Sequence, residues 1–183
     1  MPDLPPDILT EASSLLDALL TAAESVYGPR DAGFDIVGID QHDDGPRIIV
    51  DNYAVTVTVG PNAVGYAPTL LANLAHETIH LLNPVADHAS QLEEGAAVHF
   101  ELQQVAFRHG ASESSNHRNI LLPTYAAALE DFEALLSCNA SAPRTIRDQF
   151  GSLSGLTVDQ ICSVVPDLEQ GVLVRLARKC RPR

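Results

Sequence analysis

The sequence predicts an α+β fold, mostly helical, with one small antiparallel sheet. Stretches 7–27, 67–83, 90–108 and much of 119–180 repeat apolar residues at helical spacing. One stretch, 34–59, alternates at period two instead. Turn-forming residues such as Gly28-Pro29 and Pro84 fall at the ends of these stretches. The chain has 183 residues, enough for a substantial core, and no repeat or low-complexity linker divides it, so residues 1–183 are expected to form a single domain.

The first helix is expected over 7–27, after Pro5-Pro6. Ile8, Ala12, Leu15, Leu16, Leu19, Leu20, Ala23 and Val26 form its apolar stripe. Three strands follow within 34–59. They are Phe34 to Ile39, then Arg47 to Val50 after the Asp43-Asp44-Gly45-Pro46 turn, then Tyr53 to Val59, where valines alternate with Ala and Thr. An antiparallel sheet is the expected arrangement. His42 falls in the acidic turn and reads as a loop residue.

The central helix is expected over 67–83, with Pro68 tolerated in its first turn and Pro84 stopping it. A helix over 90–108 follows. Ser90 with Glu93 three residues on has the form of a capping box, and Gly95-Ala96-Ala97 would allow a neighbour to come very close. Residues 110–118 are polar and read as a mobile loop. Helices are expected at Pro123–Ser137, Pro143–Phe150, Val158–Val165 and from about Asp167 to Lys179. Thr157 and Gln160 offer a second cap.

The central helix carries His76-Glu77-Thr78-Ile79-His80, an H-E-x-x-H pattern. Residues four apart share one helix face, so His76 and His80 can aim at a single ion. Two imidazoles suit Zn²⁺, and the adjacent carboxylate of Glu77 can take a proton from a water. The flanks Leu71, Leu74, Ala75, Ile79, Leu81 and Leu82 are apolar, so the helix should be buried. Two histidines and a glutamate buried without partners would be costly, which favours a metal site. A catalytic zinc needs a third protein ligand. Glu94, Glu93 and His88 are the candidates downstream. Asn83 and Ala86 stand where a metzincin would need Gly and His, so that pattern is excluded.

His76-Glu77-Thr78-Ile79-His80 followed by Glu94-Gly95-Ala96-Ala97 resembles the gluzincin clan of zinc metallopeptidases, in a compact form with thirteen residues between His80 and Glu94. The resemblance covers about 35 residues. It implies a zincin-like domain whose sheet lies over the active-site helix and offers an edge strand to extended substrate. It implies that Glu94 is the third ligand, with Glu93 where the clan usually has Asn, and that Glu101 matches a further glutamate seen in its aminopeptidases. It also implies a tyrosine from a downstream helix as oxyanion donor, for which Tyr125 is the first candidate and His117 and Tyr66 the alternatives. Asp87, His88, His99 and Glu101 are candidate partners for orienting the imidazoles. His99 is equally readable as a surface residue, and His109 as a partner of the helix dipole.

The function expected is zinc-dependent peptide hydrolysis with Glu77 as general base. The alternative is a catalytically inactive zincin-like protein that binds metal and a peptide or partner. A net charge of −13 disfavours nucleic acid. No apolar run is long enough for a membrane span. The start Met1 to Pro6 lacks the features of a signal peptide, and Cys138, Cys162 and Cys180 show no paired spacing, so a cytoplasmic protein with reduced thiols is expected. The expected partner is a peptide or protein substrate. Five of the eleven Lys and Arg residues fall between Arg175 and Arg183, which read as a helix C-terminus with a basic tail.

Overall fold

A computed structural model describes residues 4–84 and 89–180. It is an α+β structure with eight helices and one three-stranded sheet among the described residues. Helix α1 spans Pro6–Tyr27 and buries Ala12, Leu16, Leu19, Ala23 and Tyr27, while Val26 of the expected stripe is exposed. Strands β1 (Asp35–Gln41), β2 (Arg47–Asp51) and β3 (Ala54–Val59) follow.

The sheet departs from the antiparallel expectation. Its order is β1-β3-β2, with β3 antiparallel to β2 but parallel to β1. The physical reason lies in burial. Val55, Val57 and Val59 of β3 are fully buried, so β3 takes the centre, and the half-buried β1 and β2 take the edges. The tight β2–β3 turn needs Asn52 in the left-handed region, at φ 56°, which a short polar side chain tolerates. The sheet is tied to the next helix where Gly60 N–H donates to Asn73 Oδ1 at 2.9 Å.

Helix α2 (Ala67–Leu81) is buried from Leu70 to Leu81 except at Asn73. Helix α3 (Gln91–His109) returns antiparallel to it, and β2, β3 and α1 also pack on α2. Residues 110–118, expected as a mobile loop, instead form most of helix α4 (Ala111–Asn119). Its composition is polar, but Glu113 in its first turn and His117 and Arg118 in its last suit the helix dipole, and Ser114 Oγ donates to the Leu102 carbonyl of α3. Helices α5 (Pro123–Cys138), α6 (Ala142–Phe150), α7 (Val158–Val164) and α8 (Gln170–Leu176) complete the fold. The Thr157–Gln160 capping box forms with both of its hydrogen bonds.

The last helix stops three residues short of Lys179 because the chain turns extended there. Gln91 N–H donates to the Arg178 carbonyl and Cys180 N–H to the Ala89 carbonyl, a two-sided bridge to the start of α3. Arg175 of the expected basic tail is held by the buried Asp131 through contacts of 2.7–3.2 Å. One apolar cluster runs from Leu4 to Leu176, joining α1, β3, α2, α3 and the C-terminal helices. A smaller one, Val98, Leu102 and Leu129, lies between α3 and α5. No helix among the described residues is long and apolar enough to cross a membrane.

Candidate metal centre

His76 and His80 project from α2 toward the first three turns of α3. The rings sit 5.2 Å apart, centroid to centroid. Glu94 meets both, its Oε2 lying 3.2 Å from His76 Nε2 and 3.7 Å from His80 Nε2. Donor atoms held tetrahedrally about 2.0–2.1 Å from one ion would lie roughly 3.3 Å apart. The two distances to Glu94 are close to that spacing, all three donors lie within 4.8 Å of one another, and these three residues could hold a metal ion. Glu94 Oε2 adds a second observation, one it shares with Glu93 Oε2 behind His80. It is buried and makes no hydrogen bond, although two imidazole nitrogens face it. An orphaned carboxylate oxygen is costly unless a cation satisfies it.

The far nitrogens of both rings are also occupied. His80 Nδ1 lies 2.7 Å from Glu93 Oε1, and His76 Nδ1 lies 3.3 Å from Glu101 Oε2. With a metal on each Nε2, Nδ1 would carry the proton and donate to its carboxylate, which would fix the tautomer and ring plane. Glu93, a candidate ligand by sequence, therefore stands behind His80. The same fact explains a half-formed cap. Ser90 Oγ accepts from Glu93 N–H at 3.3 Å, but the Glu93 side chain goes to His80 instead of returning to Ser90.

Four carboxylates, Glu77, Glu93, Glu94 and Glu101, are buried around these two imidazoles. Burial works against charge on His76, but the hydrogen bond to Glu101, the close contact with Glu94 and the charges of Glu94 and Glu77 prevail and raise it to about 10. His80 is raised well above its usual value against the same burial, chiefly by Glu94 and Glu93. Burial opposes ionisation of Glu94 too, yet His80 and His76 hold its carboxyl far below the usual range. Burial raises Glu77, with His80 and His76 pulling the other way. The site thus has an excess of buried negative charge, which a divalent cation would offset.

The Tyr125 ring stands edge-on to His76 at 5.6 Å, resting on the Val98–Leu102–Leu129 cluster. Burial raises its phenol, and Glu94 and Glu77 raise it further, so the hydroxyl stays a donor. Tyr66 and His117, the alternatives, lie elsewhere. Tyr66 caps α2 at the surface and donates to Glu113 at 2.9 Å, and His117 stands behind Glu101, 3.6 Å from its Oε1. His99, readable as a surface residue, packs on Phe132 at 5.4 Å on the face of α3 turned to α5. His109 is exposed in the last turn of α3, and His42 accepts Asp44 N–H in its turn. Asp87 and His88 lie outside the described residues.

Two residues that sequence reasoning did not single out also bear on the site. Arg147 of α6 is buried and donates to the carbonyls of Tyr27, Gly28, Pro29 and Leu82, holding the ends of α1 and α2 together. An arginine on a short amphipathic helix gives no signal of that task. Cys180 is buried, its thiol pushed up to about 11 by burial and then by Glu94. Compared with protein-family models, with curated proteins and with solved structures, the chain matches none.

Proposed function

We propose that this chain is a zinc-dependent peptidase of the gluzincin kind, with His76, His80 and Glu94 as metal ligands and Glu77 as general base. The observation that carries the reading is the buried, unbonded Glu94 Oε2 facing both imidazole Nε2 atoms beside a buried Glu77. Two imidazoles and one carboxylate favour zinc over harder cations and leave a coordination position open. When bound, zinc supplies Lewis acidity, polarising a carbonyl and acidifying water.

The remaining steps belong to the chain's own residues. Glu77, with its affinity for a proton raised by burial, accepts the proton of the attacking water and delivers it to the departing amine. Tyr125 donates its hydroxyl to the developing oxyanion. Glu93 and Glu101 hold the imidazole rings in the tautomer that leaves both Nε2 atoms free. Strands β1 and β2 form the edges of the sheet, and an extended peptide would pair with one of them.

Elemental analysis of the purified chain is the test of the site, beside His76→Ala and Glu94→Ala. About one zinc per chain, lost or weakened in both variants, is expected. Retention in Glu94→Ala would remove Glu94 from the ligand set. A peptide library then tests the chemistry. Zinc retained without cleavage of any peptide would favour the inactive metal-binding alternative.

A further inference from the structure

We infer that His117 is a positioning residue for the metal centre, acting through Glu101 on His76; the inference rests on the metal-ligand reading of His76. A single file of side chains leads away from the back of the His76 ring. Glu101 Oε2 lies 3.3 Å from His76 Nδ1, and its Oε1 lies 3.6 Å from His117 Nδ1. On its other side His117 Nε2 lies 3.6 Å from Glu113 Oε1, and Glu113 Oε1 accepts the Tyr66 hydroxyl at 2.9 Å. Three helices and the N-cap of α2 thus meet in one chain of alternating acid and base.

The geometry separates the roles within that chain. A carboxylate has two oxygens, and one engaged on a single side is free to rotate about its last bond. Glu101 faces an imidazole on both sides, so His117 beside Oε1 restrains the rotation that would carry Oε2 away from His76. His117 and Glu101 are both buried, so water does not readily replace either contact. Glu93, the counterpart behind His80, holds its ring through one contact of 2.7 Å, and its second oxygen is buried without a hydrogen bond. Helix α4 is otherwise polar and mostly exposed, and His117 is its buried side chain. Beside the Ser114 hydrogen bond to Leu102, His117 is the side chain that ties this helix to α3.

The experiment uses the full chain loaded with Co²⁺, whose visible bands report ligand geometry, and measures Zn²⁺ affinity by competition with a chelator. His117→Leu removes both ring nitrogens, and His117→Asn keeps a donor at the Nδ1 position. The leucine variant is expected to bind zinc about tenfold more weakly, with shifted Co²⁺ bands, while the asparagine variant restores both. His117→Met takes the place of the leucine variant if that one does not fold. Unchanged affinity and bands in the apolar variant, with only the thermal midpoint of the metal-free protein lowered, would make His117 a packing residue and leave the site intact. A parent chain that binds neither Zn²⁺ nor Co²⁺ would overturn the site and this inference together.

Discussion

Helix α3 has two buried seams of opposite character. Toward α2 it presents Glu93, Glu94 and Glu101, which meet His76 and His80. Toward α5 it presents Gly95, Val98, His99 and Leu102, which meet Ala128, Leu129 and Phe132. Both seams are buried, but only the second gains directly from burial. The first buries charges that in water would be better solvated, and a chain optimised for stability alone would not keep them. The apolar seam therefore holds α3 where the polar seam needs it. On the proposed reading, function resides in the first seam and the free energy that permits it in the second.

The largest effect should come from breaking the chemistry of the polar seam without touching its packing. Glu77→Gln keeps shape and leaves His76, His80 and Glu94 in place. Peptide hydrolysis should fall by about 10²–10⁴-fold while zinc content stays near that of the parent. Full activity in this variant would remove Glu77 from the mechanism.

Next comes removal of the ion. A metal at about a hundred times its dissociation constant stabilises the folded state by about 2.7 kcal/mol. Chelation should then lower the thermal midpoint by about 5–10 °C for a chain of this size, reversibly, and His76→Ala should show no metal-dependent shift. A parent midpoint indifferent to zinc would mean that the buried carboxylates are satisfied without it.

The apolar seam is probed at Gly95. A Cβ there would meet the Ala128 carbonyl oxygen and Phe132 Cβ, the latter at 2.6 Å, so α3 and α5 would have to separate. Gly95→Ala should cost about 1–3 kcal/mol by chemical denaturation, although alanine is the better helix former. The folded fraction should still carry zinc. A neutral or stabilising result would show slack between the two helices and weaken the division of labour drawn above.

The sequence made the polar seam readable because its signal is local. His76 and His80 share a face by spacing alone, and the Glu94-Gly95-Ala96-Ala97 pattern, by resemblance, offered the third ligand. The Gly95 close approach was also visible, but not its direction, since small residues tell how near a neighbour comes and not which one. What stayed hidden depends on distant partners. Glu93 was readable as a cap, and His80, thirteen residues upstream, took its side chain instead. Strand β1 pairs parallel because β3 inserts between its two sequence predecessors, a choice made by total burial. Helix α4 has almost no apolar period, so nothing local marked it as ordered, and its buried histidine finds its meaning only beside Glu101.

The smallest effect contrasts two histidines, one on the apolar seam and one behind the polar seam. Burial lowers His99 below 6.5, with Glu133 and Arg118 acting in opposite directions. Above 6.5 the folded and unfolded forms are both neutral there. As the pH falls below that value the unfolded chain takes a proton that the folded one resists, so His99 removes stability on the acid side. His117 is raised instead, first by its hydrogen bond to Glu101 and against burial, then by the charges of Glu101 and Glu113. Its contribution is complete below 6.5 and is lost as the pH rises through its folded value. Urea denaturation of the metal-free protein from about pH 5.5 to 8 separates the two. Relative to His99→Phe, the parent should weaken as the pH falls. Relative to His117→Asn, it should strengthen. Slopes of the same sign would mean that the two seams do not differ in how they treat a buried imidazole.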